Sequence, residues 1–348
     1  MPIKVLVVDD SALIRQILSE IIKSEPDMQL VGAAPDAFVA KKMVLEKVPD
    51  VITLDIEMPK VDGLRFLEVL MNARPTPVVM ISTLTEKGAQ ATLRSLELGA
   101  IDFVAKPKIG VAEGMAAYHQ LIVEKIRTAS NSKVKKSVGS TAPTVNKVSY
   151  SGTEKLIAIG ASTGGTEAIK EVLMSFPANA PATVITQHMP PGFTSTYARR
   201  LDSLCQITVR EASGGERLLP GHAYLAPGDK HMEVERSGAD YRIRLTDGER
   251  VSGHKPSVDV LFGSICKSAG SNALGVLLTG MGSDGARGLL ELFNENCETF
   301  CQDEASCVVF GMPKVAIEKG AAKHVLPLDA MGKAIMQSVE KMAAGSRL

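Results

Sequence analysis

The amino-acid sequence predicts an α/β protein of two domains, each a doubly wound, mostly parallel sheet with helices on both faces. Three observations support this prediction. The chain has 348 residues, which is long for one domain and ample for two. Short apolar runs alternate with amphipathic stretches, as in parallel sheets that are covered on both faces. A polar segment at residues 128–150 interrupts this alternation. We therefore expect domains at residues 1–127 and 151–348, joined by a linker.

The first domain begins with a strand and a helix. Residues 11–24 carry apolar side chains at helical spacing, and Ser11 is expected to be the N-cap. Four apolar runs have the length of buried strands, at residues 3–8, 51–54, 78–81 and 101–104. Strands that alternate with helices in this way predict a parallel sheet.

The segment 128–150 has a different composition. It contains no acidic residue and many Ser, Thr, Ala and Val residues, and it carries four lysines, Lys133, Lys135, Lys136 and Lys147. Such a segment cannot bury a core and is typical of a linker. Its lysines are either simply solvated or contact an acidic partner, and the sequence leaves both alternatives open.

The second domain resumes the alternation of strands and helices. Apolar runs at residues 156–159, 183–186 and 273–278 predict strands. Residues 232–235 and 241–245 instead alternate with a period of two, and Gly238 and Asp240 lie between them. This pattern predicts an antiparallel hairpin.

Composition and charge exclude several classes of function. The chain is 45% hydrophobic and 22% charged, and its formal net charge is +0. A neutral chain with no Trp and only 4% aromatic residues is not expected to bind nucleic acid. No apolar run approaches the roughly 20 residues that cross a bilayer, so membrane insertion is not expected. The N-terminus becomes acidic too early for a signal peptide, and we expect a cytoplasmic protein.

The cysteines point to the same compartment. All five lie in the second half, their number is odd, and no Cys-x-x-Cys pair is present. Free thiols that pack as small apolar side chains are therefore expected. Cys297 and Cys301 are four residues apart, but no second pair of ligands accompanies them, so a zinc site is not predicted.

Polar residues follow the predicted strands of the first domain where each strand ends. Asp9 and Asp10 follow the first strand, Asp55 follows the run 51–54, and Ser82 and Lys106 follow the next two runs. The carboxyl ends of parallel strands meet at one sheet edge, where clustered carboxylates suit Mg²⁺ and a hydroxyl and an ammonium group suit phosphate. The competing interpretation, that these are merely solvated turn residues, does not account for suitable groups at successive strand ends.

This set resembles the receiver domain of two-component response regulators over residues 3–125. The matching segments are Val7-Val8-Asp9-Asp10-Ser11, Leu54-Asp55-Ile56-Glu57-Met58-Pro59 with Asp62-Gly63, and Val104-Ala105-Lys106-Pro107. The resemblance implies that Asp55 accepts a phosphoryl group. It also implies that Asp10 and Asp55 hold Mg²⁺, assisted by Asp9 and the main-chain carbonyl of Glu57. Ser82 and Thr83 both offer the switch hydroxyl of such domains, and we choose Ser82.

A candidate nucleophile opens the second domain. The pattern Gly160-x-Ser162-x-Gly164 follows an apolar run and precedes a helix expected to begin near Thr166. Small residues around a serine permit the sharp turn that exposes its hydroxyl above a helix N-terminus. The alternative is a Gly-rich anion-binding loop, although the Lys-Ser/Thr ending of a P-loop is missing.

His188 and Asp284 are the expected partners of this serine. His188 ends the run that begins at residue 183, at the sheet edge where Ser162 is expected, and His254 is the second choice of base. Asp284 follows a strand and a Gly-rich turn, where a carboxylate can orient the imidazole or cap a helix. The order Ser, His, Asp differs from that of α/β-hydrolases and argues against that fold.

The complete arrangement resembles the chemotaxis protein-glutamate methylesterases over nearly the full chain. The segments that carry the resemblance are Ile159-Gly160-Ala161-Ser162-Thr163-Gly164-Gly165, Gln187-His188-Met189-Pro190 and Leu278-Thr279-Gly280-Met281-Gly282-Ser283-Asp284-Gly285. The resemblance implies hydrolysis of glutamate γ-methyl esters on methylated chemoreceptors with release of methanol, and deamidation of receptor glutamines. It implies an oxyanion contact from the main-chain N–H of Met281, a chemotaxis histidine kinase as phosphodonor, and no cofactor for the esterase.

A second class of function competes with this interpretation. The chain can also be a response regulator whose second half binds a partner and catalyses nothing. A binding module does not need Ser162, His188 and Asp284 at three strand ends, so their presence favours the enzyme.

Overall fold

Ten elements alternate in the first part of the structure, a computed structural model that describes residues 1–83, 85–107, 112–132 and 155–345. The strands are β1 (Ile3–Val8), β2 (Met28–Ala34), β3 (Val51–Asp55), β4 (Val78–Ser82) and β5 (Asp102–Ala105). The helices are α1 (Ala12–Ser24), α2 (Ala37–Lys47), α3 (Gly63–Ala73), α4 (Glu86–Glu97) and α5 (Ala112–Ser130). The chain divides into two units, Met1–Gly139 and Ser140–Leu348, and each is described by itself.

The first unit holds a five-stranded parallel sheet in the order β2-β1-β3-β4-β5. The chain passes to one side of β1 and then to the other, so the strand order reverses between β1 and β3. The crevice at such a reversal is where open α/β sheets bind ligands. This geometry brings the ends of β1 and β3 to the candidate site of the first unit.

The predicted elements of this unit are confirmed, with small shifts at their ends. The helix α1 begins after Ser11, whose hydroxyl accepts the N–H of Ile14 at 3.5 Å. The strand β2 was not predicted: only its end residues Met28 and Ala34 are buried, and Gly32 interrupts its apolar residues.

The expected linker starts later than residue 128. Thr128 and Ala129 are buried and belong to α5, which ends at Ser130. They continue the inward face of this helix from Ile122 and Ile126 at helical spacing, which explains why they fold with the first unit. Residues 133–150 of the expected linker, with all four of its lysines, lie outside the described residues.

The second unit is built around a larger sheet. Its strands are β6 (Leu156–Ala161), β7 (Ala182–Gln187), β8 (Thr208–Glu211), β9 (His222–Leu225), β10 (His231–Ser237), β11 (Asp240–Thr246), β12 (Ala273–Leu277), β13 (Glu298–Gln302) and β14 (His324–Leu326). Its helices are α6 (Gly165–Met174), α7 (Phe193–Leu204), α8 (Val258–Ala269), α9 (Ala286–Asn294), α10 (Met312–Glu318) and α11 (Leu328–Gly345).

Seven of these strands form a parallel sheet in the order β14-β13-β12-β6-β7-β9-β8. The chain leaves β6 toward β7 on one side and later adds β12 on the other, so the strand order reverses at β6. The remaining strands, β10 and β11, form the predicted antiparallel hairpin, which packs against α8. The predicted class, two mostly parallel α/β sheets with one hairpin, is confirmed.

Two further expectations concern the cysteines and membranes. All five cysteines are free, as expected from their number and spacing. Within the described ranges, no helix is both long enough and apolar enough to cross a bilayer.

Candidate functional site

The first unit gathers Asp9, Asp10 and Asp55 at the reversal between β1 and β3. Asp9 follows β1 directly, and Asp55 is the last residue of β3, whose Leu54 pairs with Val8. One carboxylate oxygen from each of the three aspartates lies within 4.8 Å of the others. Asp9 and Asp55 are buried, whereas Asp10 is exposed, so the cluster can be reached from solvent on one side.

Lys106 joins this cluster from the end of β5. Its Nζ lies 2.7 Å from Oδ2 of Asp55 and 3.2 Å from Oδ2 of Asp9. Its main-chain N–H donates to the carbonyl of Ser82 at 2.7 Å, because β4 and β5 are neighbours in the sheet. An ammonium group is thereby held beside the carboxylate that the sequence predicts as phosphoacceptor.

The aspartate cluster carries more negative charge than Lys106 compensates. Burial, together with the charge of Asp9, raises the pKa of Asp55 to about 6 against the opposing effect of the Lys106 ammonium. Burial likewise raises the pKa of Asp9. Oδ2 of Asp9 is buried, and the Lys106 ammonium 3.2 Å away is shared with Asp55. Hard carboxylate oxygens in this state fit a cation such as Mg²⁺.

Two residues near Asp55 shape the loop that follows β3. The N–H of Glu57 donates to Oδ1 of Asp55 at 3.2 Å. A Cβ on Gly63, the first residue of α3, would lie 2.0 Å from the carbonyl oxygen of Asp55. Only glycine therefore lets α3 start this close to the site, which explains Gly63 after the N-cap Asp62.

Ser82 lies at the end of β4, but its hydroxyl is bonded to α4. It is fully buried, accepts the hydroxyl proton of Thr92 at 2.7 Å and donates to the carbonyl of Gly88 at 3.3 Å. Thr83, the alternative, has its hydroxyl 3.2 Å from that of Thr85. Thr92 is a partner that the sequence did not indicate, because it lies ten residues away on the next helix.

In the second unit, Ser162 stands on a sharp turn between β6 and α6. Gly164 has φ +77° as the N-cap of α6, a conformation that favours glycine, and the helix begins at Gly165. The carbonyl of Ser162 accepts the N–H of Gly165 at 2.7 Å, and its own N–H donates to the carbonyl of Thr279 at 3.0 Å. These bonds fix the backbone of Ser162 between the ends of β6 and β12.

Gln187, at the end of β7, stabilises the same turn, a role that no sequence pattern indicated. Its amide donates to the carbonyls of Ser162 at 2.9 Å and His188 at 3.2 Å. A Cβ on Gly165 would lie 2.2 Å from Oε1 of Gln187, so the glycine admits this side chain. The only sequence signal for Gln187 was its position directly before His188.

His188 follows β7 as Ser162 follows β6. Ala161 pairs with Gln187 in the parallel sheet, and the N–H of His188 donates to the carbonyl of Ala161 at 3.1 Å. The residues after two paired positions of neighbouring strands are close neighbours, since such strands lie about 4.8 Å apart. No hydrogen bond joins the hydroxyl of Ser162 to His188 in the described part of the chain.

The imidazole of His188 is held by Asp284. Its Nε2 lies 2.8 Å from Oδ2 of Asp284, and both side chains are buried. Nδ1 is also buried and has no hydrogen-bond partner among the described residues. An ionised carboxylate accepts a hydrogen bond from a protonated Nε2. In that tautomer Nδ1 carries no proton, and its lone pair can act as a base.

Asp284 does not cap the helix that follows it, so the alternative of a cap for α9 is wrong. The N-cap of α9 is Gly285, which has no side chain to offer. The carboxylate of Asp284 instead accepts the N–H groups of Val258 and Asp259 at 2.7 and 3.1 Å, at the start of α8. The hydroxyl of Ser257, the N-cap of α8, donates to it at 2.8 Å.

These contacts keep the buried carboxylate ionised. Burial by itself raises the pKa of Asp284, but the hydrogen bond and charge of His188 and the donors of Val258 and Ser257 outweigh burial and hold the pKa below its usual value. The positive end of α8 acts in the same direction.

Two further groups adjoin Ser162 and His188. A Cβ on Gly280 would lie 2.7 Å from Cβ of Ser162, so the loop that carries Met281 passes close to the serine. The ring of His254 lies stacked on that of His188, with ring centroids 3.7 Å apart. The structure thus gathers a hydroxyl, a base with a buried carboxylate partner and a Gly-rich loop at one sheet edge. These are the groups that acyl transfer requires.

Known proteins resemble the chain along its full length. The profile of the CheB methylesterase family matches residues 157–335, and that of the response regulator receiver domain matches residues 5–116. Two relatives are each 56% identical to this chain. They are protein-glutamate methylesterase/protein-glutamine glutaminase 2 of Pseudomonas aeruginosa and protein-glutamate methylesterase/protein-glutamine glutaminase of Salmonella typhimurium. They match 100% and 99% of both chains, respectively. The crystal structure of the CheB methylesterase catalytic domain of Thermotoga maritima is 36% identical. It covers 53% of this chain and 97% of that one, with a TM-score of 0.52.

Proposed function

The chain belongs to the CheB methylesterase family and carries a response regulator receiver domain, and we propose that it is a phosphorylation-activated protein-glutamate methylesterase of chemotaxis. It hydrolyses glutamate γ-methyl esters on chemoreceptors and releases methanol, and it thereby contributes to adaptation. The reaction is an acyl transfer to water through a serine nucleophile.

Ser162 attacks the ester carbonyl in the proposed mechanism. Its hydroxyl oxygen forms a bond to the γ-carbonyl carbon while its proton passes to Nδ1 of His188. The resulting tetrahedral intermediate expels methoxide, which leaves as methanol with the proton from His188. Water then attacks the acyl-enzyme with His188 as base, and the glutamate and the free Ser162 hydroxyl are regenerated.

Asp284 holds the imidazole during both proton transfers. Its Oδ2 accepts a hydrogen bond from the N–H at Nε2, which fixes the tautomer in which Nδ1 acts as base. It also stabilises the imidazolium that forms when His188 takes the proton. The buried, ionised state of this carboxylate supports the assignment.

The developing oxyanion is stabilised by the main-chain N–H of Met281. The closeness of Gly280 to Ser162 supports this role, because Met281 is the next residue in the loop. A donor aimed at the oxyanion typically contributes 10²–10³-fold in rate, about 3 kcal/mol.

The same site deamidates receptor glutamines. A glutamine side chain has the same carbonyl as the methyl ester and differs only in its leaving group, for which His188 supplies the proton. The names of the relatives from both organisms include this second activity.

The receiver domain takes its phosphoryl group from a chemotaxis histidine kinase. A carboxylate oxygen of Asp55 forms a bond to phosphorus while the phosphorus–nitrogen bond of the kinase's phosphohistidine breaks, and the ammonium of Lys106 binds a phosphoryl oxygen. Asp9, Asp10 and Asp55, with the carbonyl of Glu57, would hold Mg²⁺, whose charge offsets that of the carboxylates and the phosphate. Ser82 would supply the switch hydroxyl after its bonds to α4 are exchanged.

Both partners meet the enzyme in the cytoplasm. The free state of the five cysteines supports this location, since thiols persist in a reducing compartment. The proposed activity needs neither nucleic acid nor insertion into a membrane.

One observation carries the enzymatic proposal: His188 is held at Nε2 by a buried carboxylate, while its Nδ1 is buried and has no hydrogen-bond partner among the described residues. The test is covalent labelling of the full chain by a fluorophosphonate, with mapping of the labelled residue. Labelling of Ser162 in the parent chain, and its loss in Ser162→Ala, are expected. A second half that only binds a partner would leave Ser162 unlabelled and would refute the proposal.

A further inference from the structure

We propose that Ser257 is a positioning residue for the acyl-transfer reaction, which acts by donating a hydrogen bond to Asp284. Its Oγ lies 2.8 Å from Oδ1 of Asp284, and both residues are buried. This inference rests on the proposed function of Ser162, His188 and Asp284 and adds a residue that does not touch the substrate.

Four donors saturate the carboxylate of Asp284. Oδ1 accepts the hydroxyl proton of Ser257 at 2.8 Å and the N–H of Asp259 at 3.1 Å. Oδ2 accepts the N–H of Val258 at 2.7 Å and the proton of His188 Nε2 at 2.8 Å. Two donors on each oxygen leave the carboxylate no freedom to rotate, so Oδ2 stays directed at the imidazole.

The hydroxyl of Ser257 has one proton and, within the described ranges, one acceptor for it. Its oxygen also accepts the N–H of Val260 at 3.4 Å, which is the N-cap bond of α8. The N–H of Ser257 donates to Nδ1 of His231 at 3.1 Å, and Nε2 of that ring lies 2.8 Å from the carbonyl of Glu249. Main-chain contacts therefore fix Ser257, and its hydroxyl proton goes to Asp284.

Close packing seats the start of α8 against the sheet edge. A Cβ on Gly160 would lie 2.2 Å from Cγ1 of Val258, and one on Gly285 would lie 2.6 Å from the same atom. Gly285 also has φ +86°, which favours glycine. Gly160 lies near the end of β6 and Gly285 directly before α9, and their lack of side chains admits Val258 and with it the donors of the helix start.

The bond from Ser257 affects both the geometry and the charge of the site. A donor to an ionised carboxylate lowers the proton affinity of the pair formed by Asp284 and His188. Its loss leaves the negative charge less stabilised, so the pair takes up protons at higher pH. The hydrogen bond of Ser257 is one of the contacts that lower the pKa of Asp284, so its loss moves the acid limb of the activity profile upward.

Other titratable and charged groups surround the pair and are left unchanged in the test. They come from the loop before α8, β10, α8 and α9: His254, His231, Asp259 and Arg287. Since none of them is altered, a displaced limb reports the substituted position.

The experiment uses the full chain with acyl phosphate present and compares Ser257→Thr, Ser257→Ala and Ser257→Asp. The readouts are the pH dependence of fluorophosphonate labelling and of kcat/KM for a p-nitrophenyl ester. Threonine retains both donor and cap, alanine loses both, and aspartate retains the cap but adds a like charge beside Asp284. We expect the acid limb to move to higher pH in the order Thr, Ala, Asp, with Thr at the position of the parent chain.

Alanine is also expected to lower kcat about tenfold with little change in KM, as for loss of a hydrogen bond to a charged group. Ser264→Ala is the matched control on the same helix. The hydroxyl of Ser264 accepts the N–H of Val234 at 2.9 Å and donates to the carbonyl of Leu261, away from Asp284. It should lower stability and leave the acid limb in place.

Each outcome decides the inference. An unchanged acid limb in both Ser257→Ala and Ser257→Asp, with the parent chain active, overturns it and leaves the proposed function intact. A parent chain that is neither labelled nor active overturns the proposed function itself. If Ser257→Ala does not fold, the comparison of threonine with aspartate still separates donation from capping, because both residues cap the helix.

Discussion

The imidazole ring of His254 lies face to face with that of His188, with ring centroids 3.7 Å apart and planes inclined by 12°. A tight turn holds His254 there: the N–H of Val251 donates to the carbonyl of His254 at 3.0 Å, and the N–H of His254 donates to the carbonyl of Val251 at 2.9 Å. Gly253 within this turn has φ +81°. His254 thus limits the rotation of the His188 ring. From the sequence, His254 was the second choice for the base itself.

Removal of this ring is expected to slow catalysis moderately. His254→Ala should lower kcat about two- to tenfold, because a stacked aromatic pair contributes about 0.5–1.5 kcal/mol to the orientation of its rings. His254→Phe should retain most of the rate, since phenylalanine stacks but has no titratable group. His222→Ala, which removes the stack with Tyr224 at 6.2 Å, is the control. A loss in His254→Phe as large as that in His254→Ala would contradict a role in packing alone.

Substitution of the triad is expected to abolish most ester hydrolysis without loss of folding. Ser162→Ala, His188→Gln and Asp284→Asn should each lower kcat about a thousandfold or more, measured as methanol release from methylated receptors. Because the three groups act as a unit, the double variant at Ser162 and His188 should be little slower than either single variant.

Two substitutions elsewhere in the second unit serve as controls for the triad. Ser175→Ala removes a bond to Val172, and Asp202→Asn removes a charge while retaining an acceptor for the N–H of Val209; both should retain the parent rate. Circular dichroism confirms the fold of each variant. A nearly normal rate in Ser162→Ala would refute the assignment of the nucleophile.

Phosphorylation is expected at Asp55 and requires a divalent cation. A small acyl phosphate with Mg²⁺ should label the full chain, and Asp55→Asn should abolish the label, because no other carboxylate of the cluster contacts Lys106 at 2.7 Å. Asp10→Asn should raise the Mg²⁺ concentration needed, since it removes one ligand. The exposed Asp27 supplies the control Asp27→Asn. Undiminished labelling in the presence of a chelator would exclude the predicted metal dependence.

The receiver is expected to restrain the esterase until Asp55 is phosphorylated. A fragment that begins near Ser149 should hydrolyse substrate faster than the unphosphorylated full chain, because a tethered domain at about millimolar effective concentration can restrict access of a receptor to the sheet-edge site. Acyl phosphate should accelerate the full chain, since a few kcal/mol at Asp55 suffices to shift a modest interdomain contact.

The fragment and the full-length variant Asp55→Asn are the controls for this prediction. Neither should respond to acyl phosphate, because one lacks the receiver and the other its phosphoacceptor. Equal basal rates of fragment and parent chain, together with no response of the parent chain to phosphodonor, would rule out inhibition by the receiver.

Local patterns were sufficient to predict much of the fold and the approximate location of both sites. The runs that form β1, β3, β6 and β7 were recognisable because buried parallel strands are continuously apolar. The edge strand β2 has no such run and was missed. The linker was expected to begin at residue 128, inside α5, because Thr128 and Ala129 resemble the polar segment in composition, although tertiary packing buries them.

The sequence by itself determined that Asp9 and Asp55, and likewise Ser162 and His188, would lie together, because residues that end neighbouring parallel strands share one edge. Only the tertiary structure decided which nitrogen of His188 meets Asp284, that His254 stacks on the base, and that Ser257 holds the carboxylate from 27 residues away. The sequence also did not reveal the hydrogen bonds between Ser82 and α4. Such contacts depend on how a helix packs against a sheet edge, and glycines such as Gly160 and Gly285 permit that approach without a local pattern that reveals the partner.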